Sequence, residues 1–433
     1  MLFRSTSLQA DVYGTVLPRV GFNWAPDPTT TIRGGFGVYS YDWSTNVYGG
    51  GLGNALITQG SATDQTNGIT PVVTLSSSGA NLPYVAPTTD PTALNGQSVT
   101  YTQYHTPVPK IYQWNFAVQR TLGTNMVAEM AYVGSHGFNL SFPVDINQVP
   151  ENLLGPNDSP NSRPYPVYQS ISGDTHNAVS NYNSLQASIT RRLTAGFSFN
   201  FNYVWSHFLD DQDSAAEGGI GGTQIYQNSF RPSDNYGASN FDARNALKGN
   251  IVYQLPVGKG KTFLNNSSLL DAVVGGWQVS STMIFNSGNP YTPYISGSNN
   301  SYSQAGNWYP NVIGNPLPQH RTIQNWYNPA AFALPANGTF GDMRRNSLVG
   351  PGLSVVNLSA GKTFTVHEGV QLQIRADSTN AFNHPSFGPP NQSLVPDSTP
   401  GPGGITTFSQ TGTSISQVTV GGRTMQLNAH LTF

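Results

Sequence analysis

The chain has 433 residues with 19 Lys+Arg against 21 Asp+Glu, a formal net charge of −2, and a charged fraction of 9% where soluble domains carry roughly 25%. With 46 Gly, 31 Pro and 11% aromatics it is rich in turns and rings and poor in surface ions, which argues against a helical cytosolic enzyme. No basic excess offers a footprint for nucleic acid, zero cysteines exclude disulfides and thiolate metal sites, and no run approaches the about 18 apolar residues of a spanning helix.

In chain order, residues 1–7 lack the basic segment and apolar core of a secretory signal. Beyond them the dominant pattern is apolar alternation with a period of two. It predicts strands over residues 16–24, 30–41, 111–121, 126–134, 182–192, 197–207, 245–255, 277–286, 353–364, 370–380 and 423–433. The clearest are Phe197, Phe199, Phe201, Tyr203 and Trp205 alternating with small polar residues, and Met425, Leu427, Ala429, Leu431 and Phe433 alternating with polar ones. Tight turns are expected at 25–28, 122–125, 193–196 and 366–369, with a longer link at 256–276 that holds a helical turn at 269–274. Between them fall long loops at 42–110, 135–181, 208–244, 287–352 and 381–422.

Short turns at one end, long loops at the other and amphipathic strands of about 9–11 residues describe an all-β, antiparallel transmembrane β-barrel of the bacterial outer membrane. The physical reason is that hydrocarbon offers no hydrogen-bond partner, so backbone groups must pair between strands and the sheet must close. Bacterial barrels have even strand numbers, so about 11 strands point to half of a plugged barrel of about 22, with the plug and signal peptide absent from residues 1–433.

Several segments carry a family resemblance. Asn240-Phe241-Asp242-Ala243-Arg244-Asn245-Ala246-Leu247-Lys248-Gly249 with its continuation to Lys261, Tyr203-Val204-Trp205-Ser206-His207-Phe208-Leu209-Asp210-Asp211, Asn328-Pro329-Ala330-Ala331-Phe332, the run Leu372 to Gly388, and Leu17-Pro18-Arg19-Val20-Gly21-Phe22 resemble the C-terminal barrel half of the Oar-like TonB-dependent outer-membrane receptors. The resemblance implies a ligand importer, not an enzyme, without cofactor. Its implied partners are outer-membrane lipid, the missing N-terminal plug and barrel half, the TonB complex acting through that plug, and the outer-membrane assembly machinery. A surface-exposed β-rich adhesin is the alternative, although no regular repeat of about 20–50 residues supports it.

The alternating apolar set Met425, Leu427, Ala429, Leu431 and Phe433 resembles the C-terminal signal for barrel assembly, besides presenting a lipid face. Trp43, Tyr48, Trp308, Tyr309, Trp326 and Tyr327 lie in long loops, where flat rings could stack on a ligand or simply pack on one another. Glu129, Arg375 and Asp377 alternate with apolar neighbours and are therefore lumen-facing. Asp210, Asp211, Asp213 and Glu217 lack the spacing of a calcium loop and are expected to form a solvated acidic loop. The Gly258-Lys259-Gly260-Lys261-Thr262 run is a near miss to a phosphate loop, and no metal or catalytic constellation is assembled by sequence.

Overall fold

Eleven long strands pair in sequence order in one antiparallel sheet of the computed structural model. They are β1 (Arg19–Asp27), β2 (Thr30–Tyr39), β3 (Lys110–Leu122), β4 (Met126–Asp145), β5 (Ile171–Thr194) and β6 (Phe197–Asp210). There follow β7 (Asn245–Gln254), β8 (Trp277–Asn286), β9 (Leu353–His367), β10 (Val370–Thr379) and β11 (Thr424–Thr432). The structure describes residues 10, 12–40, 92, 94–100, 103–155, 157–213, 226–258, 260–263, 273–295, 308–367, 369–398, 405–408 and 413–433.

Directly opposed residues share a face of a sheet, so the register fixes two faces across all eleven strands. One carries Phe22, Phe116, Tyr132, Leu185, Tyr203, Leu358, Ile374 and Leu427, all exposed. The other carries Gln119 opposite Glu129, Ser188 opposite Asn202, Asn200 opposite Asn250, Thr282 opposite Asn357, and Arg375 opposite Asn428. A soluble sheet would bury the apolar face. Here that face is left outward and the polar face is turned the other way, which is the arrangement for a hydrocarbon surround.

Three cross-strand pairs on the apolar face set a ring over a glycine: Phe22 opposite Gly34, Trp114 opposite Gly134, and Phe201 opposite Gly249. A Cβ added at Gly134 would stand 2.2 Å from the Trp114 ring, and one at Gly249 would stand 2.4 Å from Phe201. The missing side chain is thus the seat of the ring, a device that also pins register. Gly134→Ala should force the indole off its seat and lower stability by about 1–3 kcal/mol. A urea titration followed by tryptophan fluorescence reads the shift, and an unchanged midpoint would show that the ring moves freely.

The turns sit at one end. Ala195 (φ 52°) and Gly196 (φ 76°) close the β5–β6 hairpin between the paired residues Thr194 and Phe197, with positive φ at both central positions as a tight two-residue hairpin requires. At the β1–β2 turn the Asp27 carboxylate accepts from the Thr29 N–H at 2.8 Å, which places the turn at 28–29; β1 itself runs Arg19–Asp27, about three residues later at each end than the alternation alone suggests. Val273 and Val274 are helical, and the rest of the expected helical turn at 269–274 lies outside the described residues.

The largest correction concerns the loop end. Residues 135–145 and 171–181, expected in a loop, continue β4 and β5 beyond the span. Their pairing has register shifts between Gly137 and Phe142, and the period of two breaks there, which hides the strands from pattern reading. Among the described residues β1 and β11 each pair on one side only. Both occupy odd positions in an antiparallel sheet, so both run from the loop end to the turn end.

Candidate functional site

The loops fold into a packed layer over the loop end of the sheet. Its apolar core is Tyr291, Tyr309, Tyr327, Phe332, Met343, Leu348, Leu394 and Phe408, contributed by segments 287–352 and 381–422. Short ladders knit them, pairing Pro290–Tyr291 with Leu348–Val349, Tyr294–Ile295 with Ser393–Leu394, and Ser386–Phe387 with Val418–Val420. A second cluster of Phe142, Val144, Ala178 and Tyr226 seats the extended β4–β5 pair against the segment after β6.

This layer decides where the loop aromatics go. Trp308, Tyr309 and Tyr327 are 6%, 2% and 0% exposed, so they are core and not free platforms. Tyr327 donates its hydroxyl to the Asn391 carbonyl at 3.0 Å, Tyr309 donates to Asn235 Oδ1 at 3.4 Å, and Trp308 packs on Phe340 with ring centroids 5.5 Å apart. Burial holds both phenols protonated far above neutral pH. Trp326 is half-buried: its indole N–H donates to the Val349 carbonyl at 3.1 Å and the Arg321 guanidinium lies 5.5 Å from its ring centroid. Of the ring set it alone keeps an accessible face among the described residues; Trp43 and Tyr48 lie outside them.

The acidic cluster is not solvated. Asp210 and Asp211 are each 4% exposed, and Arg345, also 4% exposed, stands among them. Its guanidinium donates to the Asp210 carboxylate and carbonyl, to the Asp213 carboxylate, and through Nε to the Asn235 carbonyl at 2.7 Å. Asn346 adds bonds to Asp213 Oδ2 at 3.1 Å and to the Ala238 carbonyl at 2.7 Å. Asp213 Oδ1 accepts from the Asn240 N–H at 2.6 Å. Thus the guanidinium fills the place a metal would need, and ties the segment after β6 to the loop between β8 and β9. Glu217 lies outside the described residues. The sequence signal for this knot was Arg344-Arg345, two adjacent cations in a nearly chargeless loop, but its partners are 132 to 135 positions away.

The Asn240 to Arg244 segment is built the same way. Asp242 accepts from the Phe208 N–H at 2.9 Å and from Arg244 at 3.1 Å, so this buried carboxylate stitches the return of the chain into β7 onto β6.

Asp211 accepts two bonds from the Val179 N–H, at 2.9 and 3.1 Å. Burial nevertheless pushes its carboxyl from 3.8 up to about 6. A carboxyl raised in the folded state contributes its full stability below its unfolded pKa and loses it as pH rises through the folded value. The loop layer should therefore tighten from pH 7.5 to pH 5, the Asp211 share over that window being about 1.4 kcal/mol. Asp211→Asn keeps an acceptor for Val179 and should remove that share, read as a flatter pH dependence of amide exchange over residues 171–181. An unaltered slope would rule out Asp211 as its source.

On the strands, Arg33 bonds Gln119 at 2.9 Å and pairs with Glu129, while Arg375 bonds Asp377 at 2.9 Å and Asn428 bonds the same carboxylate at 2.7 Å. All lie on the polar face. Met425, Leu427, Leu431 and Phe433 are 68%, 80%, 53% and 95% exposed on the apolar face, with Ala429 on the same face opposite Ile374. Among the described residues no group of three or more His, Asp or Glu is placed to hold a metal ion.

With two chemically opposed faces, turns at one end and a packed loop layer at the other, the sheet is a wall of an outer-membrane β-barrel. The profile of the outer membrane beta barrel domain family matches residues 4–426, so the chain belongs to that family, and its place is the bacterial outer membrane. No curated protein matches it. Among solved structures it is similar to the outer membrane transporter YddB from Escherichia coli (11% identity, TM-score 0.42, 93% of this chain and 38% of that one). It is also similar to the ferric citrate transporter FecA (10%, 0.41, 96% and 38%) and to the ferripyoverdine receptor of Pseudomonas aeruginosa (9%, 0.42, 96% and 33%). At these scores the likenesses carry no argument. The chain spans between a third and two fifths of the length of these three structures.

Proposed function

We propose that the chain is the C-terminal part of a TonB-dependent, Oar-like outer-membrane importer, supplying barrel wall and extracellular loops to a larger protein that captures a ligand and draws it inward. The observation that carries the reading is the pair of sheet edges left open among the described residues. β1 and β11 run the same way, toward the short turns that face the periplasm in bacterial barrels. Pairing them with each other, or with a second copy inserted the same way, makes a parallel seam, and inverting the second copy would carry its loop layer through the membrane. Antiparallel closure needs a different sheet whose two edge strands both run outward. Such a sheet has an odd number of strands and brings the total to an even number, as bacterial barrels have.

In this reading the polar face bearing Glu129, Arg375 and Asp377 lines the lumen, and their ion pairs stand where a plug would pack. The alternating apolar residues from Met425 to Phe433 serve the assembly machinery as a recognition strand. The loop layer, with Trp326 at its surface, meets the ligand.

Residues 1–433 carry no cysteine, so every thiol in this part of the protein is an introduced one. In the full parent protein, Asn23→Cys on β1 and Asn428→Cys on β11 should cross-link to cysteines placed in the complementary sheet and never to each other. A bond between 23 and 428, within one chain or between two copies, would overturn the reading. Uptake should stop when an uncoupler collapses the proton-motive force, whereas passage through a passive pore would continue.

A further inference from the structure

We propose that the loop layer holds a binding site for a neutral saccharide, in the cavity between the loop that follows β8 and the loop that follows β10. The proposal rests on the reading above, in that this end of the sheet faces the outside. The cavity measures about 340 Å³, in the lower part of the range of small-molecule sites, about 300–1,000 Å³.

Its working groups are the side-chain amides of Asn240, Asn289 and Gln392, the Thr419 hydroxyl and the ring of Phe387, with the buried Tyr291 forming its floor. Asn289 Nδ2 donates to the Asn240 carbonyl at 2.7 Å, which fixes the amide and leaves Oδ1 as an acceptor. Behind it the Gly350 N–H bonds the Asn289 carbonyl at 2.9 Å, so the wall is set by backbone. Among the described residues, the side chains of Asn240, Gln392 and Thr419 make no hydrogen bond. The site therefore offers unengaged donors and acceptors in near equal number beside the half-buried Phe387 ring.

No acidic or basic side chain lines this cavity. Burial keeps the Tyr291 phenol protonated, so it too is neutral. A ferric chelate, a phosphate or a carboxylate would need cations that are not here, and the nearby knot has its Arg345 consumed by Asp210 and Asp213. A sugar fits each feature: its hydroxyls both give and accept, as amides do, and its C–H face packs on a ring. The volume suits a mono- or disaccharide unit.

The test is calorimetric titration of the full protein in outer-membrane detergent extract with maltose, cellobiose and trehalose, with ferric citrate, glucose 6-phosphate and trialanine alongside. At least one neutral disaccharide should bind. Gln392→Ala, which removes an amide that holds no structural bond, should weaken it about tenfold, and Phe387→Ala by a similar factor. Binding of none of the disaccharides, binding unchanged in both variants, or trialanine or an anionic probe taking their place would each overturn the proposal. Heat-modifiable gel migration of the same samples separates the two readings. Protein that inserts but binds no sugar refutes the saccharide site alone, and protein that binds sugar without inserting refutes the barrel alone.

Discussion

Arginine placed together at Ile374 and Leu427 should keep the protein out of the membrane. The two residues sit mid-strand on neighbouring β10 and β11, on the apolar face, at 44% and 80% exposure. Each guanidinium at mid-bilayer depth costs about 2–4 kcal/mol, so the pair costs about 4–8 kcal/mol, comparable with the lower part of the about 5–15 kcal/mol margin of folded domains. Gln373→Arg and Asn428→Arg, one position along and on the polar face, supply the control with equal charge and should insert normally. Heat-modifiable migration and protease protection of membrane fractions read the outcome. Normal insertion of the Ile374 and Leu427 variant, or failure of the control, would mean that the two faces are assigned the wrong way round.

That experiment probes the part of the fold most legible in the sequence. A period of two is a local property, and strands such as Phe197–Asp210 announce it because one face meets hydrocarbon and the other meets water. Above the span that contrast vanishes. β4 and β5 continue through Gly137, Asn139 and Thr175 with no alternation to follow, held by backbone pairing and by the Phe142 and Tyr226 cluster whose members come from distant segments, and the pattern gives no warning. The loop aromatics show a different limit. Composition marks Trp308, Tyr309 and Tyr327 as rings in long loops, but whether a ring lies in a core or at a surface depends on Met343, Leu348, Leu394 and Phe408, which come from elsewhere in the chain. Charge was hidden in the same manner: Asp210, Asp211 and Asp213 read as solvent-facing until a cation from a distant loop is set among them.

That cation gives the second large effect. Arg345→Ala should leave the sheet in place and loosen the loop layer, because it strands two carboxylates and two carbonyls where water does not reach. Breaking a buried ion pair from one side typically costs about 3–5 kcal/mol, most of it the penalty for the uncompensated charges left behind. Arg345→Lys should recover only part, since an ammonium cannot span Asp210, Asp213 and the Asn235 carbonyl with a planar fork. Removing the charges together, with Arg345→Met, Asp210→Asn and Asp213→Asn combined, should be milder than Arg345→Ala alone, which an ordinary sum of lost contacts would not give. Hydrogen exchange over residues 226–244 and 340–349 measures the loosening, while heat-modifiable migration checks that the barrel wall is unaffected. Equal protection in Arg345→Ala and the unaltered protein would show that the apolar core around Tyr309 and Phe332 holds the layer without the knot. Faster exchange confined to those segments would establish the guanidinium as the tie that lets one loop brace another across the mouth of the sheet.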